Sequence, residues 1–233
     1  MLGLLYDIHG NLPALEAVLA DGRRRGVQRW LLGGDYALFG GWPAETVDLL
    51  AEITDATWIR GNGERWIADA TQAPEDGAIQ EAIAAAAEML GPERVTRLAQ
   101  LPQSASLPDG GRAWHASPLS DVRSFMPDSA DEDLELLNGA AEPRLIFGHT
   151  HVPFARVDAA SGIALVNPGS VGMPFDGNPR ASWAILHDDG TVEHRRMRYD
   201  HASAARMIRS VARGAQWGEI NAKRIERAQF IVR

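Results

Sequence analysis

The 233-residue chain contains no cysteine. That absence excludes disulfides, thiolate metal ligands and cysteine nucleophiles, and it is compatible with a reducing cytoplasm, the compartment expected here. Positive charge is also in short supply, with 23 basic residues against 31 acidic ones and a formal net charge of −8. A broad electrostatic attraction to nucleic acid or an anionic membrane is therefore not expected, and any anionic substrate has to be held locally. No apolar run approaches the ~20 residues that a membrane-spanning helix needs, and Asp7 is reached without a basic leader segment, so neither a membrane anchor nor a cleaved leader is expected. Repeats, low-complexity tracts and linkers are lacking too. What is present, with 45% hydrophobic residues, suffices for one well-buried core, and a single domain over 1–233 is the expectation.

Short apolar runs alternate with amphipathic stretches, the pattern of βαβ units on a largely buried sheet, so the fold class is α/β. Strands are expected at 2–6, 29–32 and 57–59, and later at 144–147, 154–157, 163–166, 181–186 and 191–196. Residues 104–116 read as a hairpin turning at Pro108-Asp109-Gly110-Gly111. Asn11 and Pro13 look like the cap and first turn of a helix ending near Asp21-Gly22, and 43–53 reads as a second helix. A helical insert is expected at about 64–101, clearest in the alanine-rich 81–90, and a helical tail at about 201–233. Arg206, Arg209, Arg213, Lys223, Arg224 and Arg227 of that tail are interrupted by Glu219 and Glu226, which suggests a solvated face.

Polar residues recur where the apolar runs end. Asp7-Ile8-His9 places a carboxylate and an imidazole two residues apart, so both can point to one side of an extended segment. Gly34-Asp35, Gly61-Asn62 and His115 each have an innocent explanation alone, as turn, cap or hydrogen-bonded histidine. Gly148-His149-Thr150-His151 carries more information, because two imidazoles at i and i+2 after a glycine can reach one cation cluster from the same side. The joint placement at strand ends, where ligands collect in α/β sheets, argues for a shared site. His187, His194 and His201 lie outside these segments and receive no role.

The ordered series Asp7-x-His9, Gly34-Asp35, Gly61-Asn62-x-Glu64, His115 and Gly148-His149-Thr150-His151 resembles the calcineurin-like metallophosphoesterase superfamily. Asp7 to Leu15, His115-Ala116-Ser117-Pro118 and Asn167-Pro168-Gly169-Ser170-Val171-Gly172 are similar to its small bacterial phosphodiesterase-like branch. The resemblance implies a four-layer αββα sandwich of two mixed sheets flanked by helices. It implies two divalent cations, one on Asp7, His9, Asp35 and His151, the other on Asp35, Asn62, His115 and His149, with Asp35 as the bridge. Asp35, Asn62 and His149 would then be catalytic, and Arg60 and Asn11 would contact substrate. Two cations ~3.5–4 Å apart clamp phosphoryl oxygens and acidify an attacking water, so no side-chain nucleophile is needed. Oxygen and nitrogen donors suit manganese, the first expectation, as well as iron or zinc.

Two departures bear on the substrate. Gly63 stands where many relatives carry a histidine thought to protonate the leaving group, which points to good leaving groups or an acid from elsewhere. Tyr36 to Gly40 lack the arginine that protein serine/threonine phosphatases carry after the second motif, which disfavours phosphoprotein substrates. The expected activity is hydrolysis of a small phosphodiester or nucleotide. The alternatives are a phosphomonoesterase or protein phosphatase, and a non-catalytic scaffold of the same fold, which the intact ligand series opposes.

Overall fold

Adjacent leucines in the strands are buried on opposite sides, and this decides the architecture. In the computed structural model, which describes residues 1–232, Leu4 and Leu31 belong to one apolar cluster while Leu5 and Leu32 belong to another. The same split occurs at Leu145 and Ile146 and at Leu165 and Val166, so each sheet is covered on both faces.

The first sheet contains β1 (Leu2–Leu5), β2 (Arg29–Leu32), β3 (Ala56–Trp58), β9 (Ala181–Leu186) and β10 (Val192–Met197) in the order β10-β9-β1-β2-β3. Its β1, β2 and β3 are parallel, with β9 antiparallel to β1. The second contains β4 (Ser104–Ser106), β5 (Arg112–Trp114), β6 (Arg144–Ile146), β7 (Phe154–Val157) and β8 (Ala164–Asn167) in the order β4-β5-β6-β8-β7, with β5, β6 and β8 parallel. Leu4, Tyr6, Leu31, Ile146 and Val166 fill the space between the sheets, and Tyr6 Oη crosses it to donate to the Ile146 carbonyl at 3.2 Å. Burial of side chains of this size contributes about 1.5–3 kcal/mol each.

Helices α1 (Leu12–Arg24), α2 (Pro43–Ala51), α4 (Gly77–Ala99), α6 (His201–Ala212) and α7 (Gln216–Arg227) supply Leu15, Val47, Ile83, Ile208 and Ile225 to the cluster on the outer face of the first sheet. On the second sheet's outer face, α5 (Asp133–Leu137) contributes Leu136 and Leu137. The result is the expected four-layer arrangement of two mixed sheets between helices.

Local differences have local causes. Helix α1 runs through Gly22 to Arg24 instead of stopping near Gly22, because a glycine there makes room for the Trp30 ring, 2.3 Å from where a Cβ would stand. The insert is not one helical stretch. It divides into α3 (Asn62–Ala68), a 3-10 turn at Ala70–Gln72 and α4, itself broken where Gly91 takes φ 74° before Pro92. Helix α5 has no counterpart in the sequence expectations, since five residues are too few to show a period.

Candidate metal centre and active site

Each of the seven candidate ligands follows a strand. Asp7 and His9 follow β1, Asp35 follows β2, Asn62 opens α3 after β3, His115 follows β5, and His149 and His151 follow β6. Both sheets therefore deliver donors to one place. Five of the seven have left-handed backbone: Asp7 at φ 53°, His9 at 49°, Asp35 at 55°, His149 at 69° and His151 at 60°. Such residues cost about 1–3 kcal/mol each and persist only where their surroundings impose them. Here His9 N donates to Asp35 O at 2.9 Å, His149 N to Asp7 Oδ2 at 2.9 Å, and Ser170 Oγ to Asp7 O at 2.7 Å.

The side chains converge in two groups, Asp7, His9 and His151, and Asp7, Asp35 and His115, all buried. Asp35 directs Oδ2 towards His9 Nε2 at 3.9 Å and Oδ1 towards His115 Nε2 at 3.5 Å, so its two oxygens face both groups. His9 Nδ1 meets the Leu38 carbonyl at 2.9 Å and His151 Nδ1 meets the Met173 carbonyl at 2.5 Å, so each ring carries its proton on Nδ1. Their Nε2 lone pairs then face each other at 3.1 Å, an arrangement that repels unless a cation lies between them. His115 Nδ1 is likewise turned to the Gly33 carbonyl at 2.8 Å. Its Nε2 lies 3.0 Å from Asn62 Oδ1, and His149 Nδ1 is 3.0 Å from the same end of that amide. With its nitrogen at that end the amide donates to both rings, and with its oxygen there it faces a cation as a ligand. Asp7 Oδ1, buried among these groups, has no hydrogen-bond partner among the described residues. These residues fit divalent cations and could hold them.

The electrostatics agree. Burial raises the Asp7 carboxyl to about 8, His115 opposing and Asp35 adding to the rise, and burial with the Glu64 charge raises Asp35 well above the usual range. Burial also lowers His9 and His149 to about 3 and His151 well below its ordinary value. The imidazoles are thus neutral donors at any ordinary pH, and the carboxylates lack the positive charge that would keep them ionised.

A further layer holds the loops. Glu64, fully buried, accepts from Asp35 N at 2.9 Å, Tyr36 N at 2.8 Å and Gly61 N at 2.9 Å. Gly63 N donates to Asp35 Oδ1 at 2.7 Å, and a Cβ on Gly63 would stand 2.8 Å from that oxygen, so any side chain there presses on Asp35. Asn167 donates to Gly148 O at 3.1 Å and Thr150 Oγ1 at 2.9 Å, so 167–170 braces the ligand loops.

The expected substrate contacts are placed differently from the ligands. Arg60 donates from Nη1 to the Ala99 carbonyl at 2.9 Å, tying β3 to the end of α4, and the Asn11 amide donates to Gly172 O at 2.8 Å and Tyr199 Oη at 3.0 Å. His187 faces Glu193, and His194 faces the Asn167 carbonyl, and neither belongs to a group of candidate ligands. Two features escaped the sequence. Arg65 grips Asp121 through two 2.6 Å bonds, and burial and that pairing act on Asp121 in opposite directions, leaving it lowered beside His115 and His149. Asp121 lies in a stretch with no periodicity to mark it. Arg224 does not share the solvated face of the tail. It is largely buried and its charge is felt at His9.

Residues 1–190 match the calcineurin-like phosphoesterase superfamily domain. The chain belongs to that superfamily. It is 29% identical over 203 residues to phosphodiesterase YfcE of Escherichia coli strain K12, covering 81% of this chain and 89% of that one. The solved metallophosphoesterase from Sphaerobacter thermophilus superposes with a TM-score of 0.80 at 26% identity, covering 97% of this chain and 98% of that one. The hypothetical protein PH1004 from Pyrococcus horikoshii OT3 gives 0.85 at 19% identity, covering 99% and 100%. Membership in this metal-dependent superfamily makes the chain a phosphate-ester hydrolase with candidate metal ligands. No helix among the described residues is long and apolar enough to cross a membrane.

Proposed function

We propose that the chain is a phosphodiesterase with a binuclear centre, held by Asp7, His9, Asp35 and His151 on one side and by Asp35, Asn62, His115 and His149 on the other, with manganese as the first candidate. The observation that carries this reading is the mutual facing of lone pairs at His9 and His151, neighbouring donors that repel unless a cation lies between them, with Asp35 turned to His9 through one oxygen and to His115 through the other. When bound, two divalent cations would supply charge neutralisation on the phosphoryl oxygens and acidify a water. Asp35 carries the negative charge that offsets the repulsion between the two positions. Half-buried His149 and buried Asn62 present neutral donors, leaving the site attractive to an anionic ester in a chain of net charge −8.

Protonation of the leaving group is where the site is weakest. Gly63 offers no acid, and burial keeps His149 unprotonated until about 3. Esters whose leaving group departs without a proton are therefore the favoured substrates. The 29% identity with a phosphodiesterase supports the diester over the monoester. The test is manganese-supplemented hydrolysis of bis(p-nitrophenyl) phosphate and p-nitrophenyl phosphate by the wild type and Asp35→Asn. The diester is expected to react faster and the variant to lose that activity; a faster monoester would overturn the reading.

A further inference from the structure

Arg224, on α7, and Arg60 are the two half-buried arginines with no carboxylate partner among the described residues, and Arg60 is turned to the Ala99 carbonyl. Arg65, Arg156, Arg195 and Arg196 each meet a carboxylate, at 2.6 Å for Asp121, 2.6 Å for Asp133 and 2.7 Å for Asp21, and in direct contact for Asp176. Arg224 meets none among the described residues, although the chain holds 31 acidic residues to choose from. Its Nε donates to the Ile231 carbonyl at 2.8 Å and its Nη1 to Asn221 Oδ1 at 3.1 Å, while Nη2 makes no hydrogen bond among the described residues. Burial lowers it to about 10, with no acidic neighbour among the described residues to restore it. A guanidinium fixed by two neutral acceptors and left with open N–H groups is prepared for an anion that comes from outside.

Its place in the fold says which anion. The guanidinium lies 4.6 Å from the Phe230 ring centre; Phe230 meets Phe175 at 5.5 Å, and Phe175 stacks on the ligand candidate His151 at 4.3 Å and 16°. Arg224 makes no hydrogen bond to a candidate ligand and reaches the cluster through Phe230 and Phe175, yet its charge is felt at His9, so it stands beside the place of the reacting phosphate. Phe230 is 64% exposed and offers an apolar shelf beside the charge. We propose that Arg224 and Phe230 form a subsite on the His9 and His151 side of the centre, which takes a second phosphate of the substrate with an aromatic or sugar body between the two. This rests on the phosphodiesterase reading for the identity of the reacting group only.

The test is calorimetric binding of thymidine 3′,5′-bisphosphate and thymidine 5′-monophosphate to the manganese-loaded protein, with turnover of bis(p-nitrophenyl) phosphate measured separately. The wild type is expected to hold the bisphosphate about tenfold tighter or better. Arg224→Gln brings the two affinities together with manganese content kept, and Arg224→Lys, which retains charge without the planar fork, falls between. Equal affinities in the wild type, or a bisphosphate advantage that survives Arg224→Gln, would overturn the subsite. Absent diester turnover with the Arg224-dependent preference intact overturns the phosphodiesterase reading and supports the subsite alone.

Discussion

Glu64 separates the ligands from what holds them. Its carboxylate collects three backbone N–H groups from the Asp35 and Asn62 loops, so Glu64→Gln keeps the volume but replaces one charged acceptor by a donor. Titration of manganese into the chelated variant is expected to show affinity reduced about 10–100-fold, as for other residues that orient ligands. Unchanged affinity would remove Glu64 from that role. Asp7 sets the pH dependence. Its carboxyl, raised to about 8 by burial, must lose a proton to face a cation, so manganese affinity is expected to rise at least about tenfold per pH unit up to about 8. The sign for stability runs the other way in the chelated protein. A carboxyl raised on folding binds a proton the unfolded chain has released, so its contribution to stability falls as pH rises from 3.8 to about 8, unopposed above 6.5. His9 and His149, lowered to about 3, act only below 6.5, where the unfolded chain takes up protons that they refuse and stability falls as pH drops. The chelated protein should therefore melt highest near 6.5, and thermal scans across this range check it. Asp7, His9, Asp35, His115 and His151, which the structure brings together, stood out because each sits beside a glycine or at the end of an apolar run. Arg224 did not, since burial without a counter-charge leaves no trace in a run of alternating charges.

At the level of elements, what the sequence showed best were β1, β2 and α1, where apolar runs and a capping asparagine agree. The insert was legible as helical but not as broken, because alanine-rich segments carry propensity without marking where tertiary packing bends them. Its α4 lies over α2, α3 and α7, and Leu90 is buried in the cluster on the first sheet's outer face. Leu90→Ala is expected to destabilise the protein by about 2–4 kcal/mol while leaving manganese content unchanged, since α4 braces the sheet and supplies no ligand candidate. Denaturant unfolding with metal analysis tests both halves. Gly22→Ala, which drives a methyl into the Trp30 ring, should also destabilise, by about 1–3 kcal/mol.

Across the whole molecule, the site ties the two sheets together. Asp7, His9, Asp35 and Asn62 come from the first and His115, His149 and His151 from the second, and each group of candidate ligands draws on both. Buried carboxylates and opposed lone pairs at that seam are unfavourable without a cation, so chelation should loosen the contact between sheets and lower the melting temperature. The sandwich itself was not readable from composition or periodicity, which imply α/β layers but not how many sheets; only the ordered ligand series pointed to two. The claim that most needs a direct check is the binuclear centre. Elemental analysis of the manganese-saturated protein after gel filtration is expected to give two metals per chain for the wild type and fewer than one for Asp35→Asn, because Asp35 faces both groups. A wild type that saturates at one metal or none would contradict it.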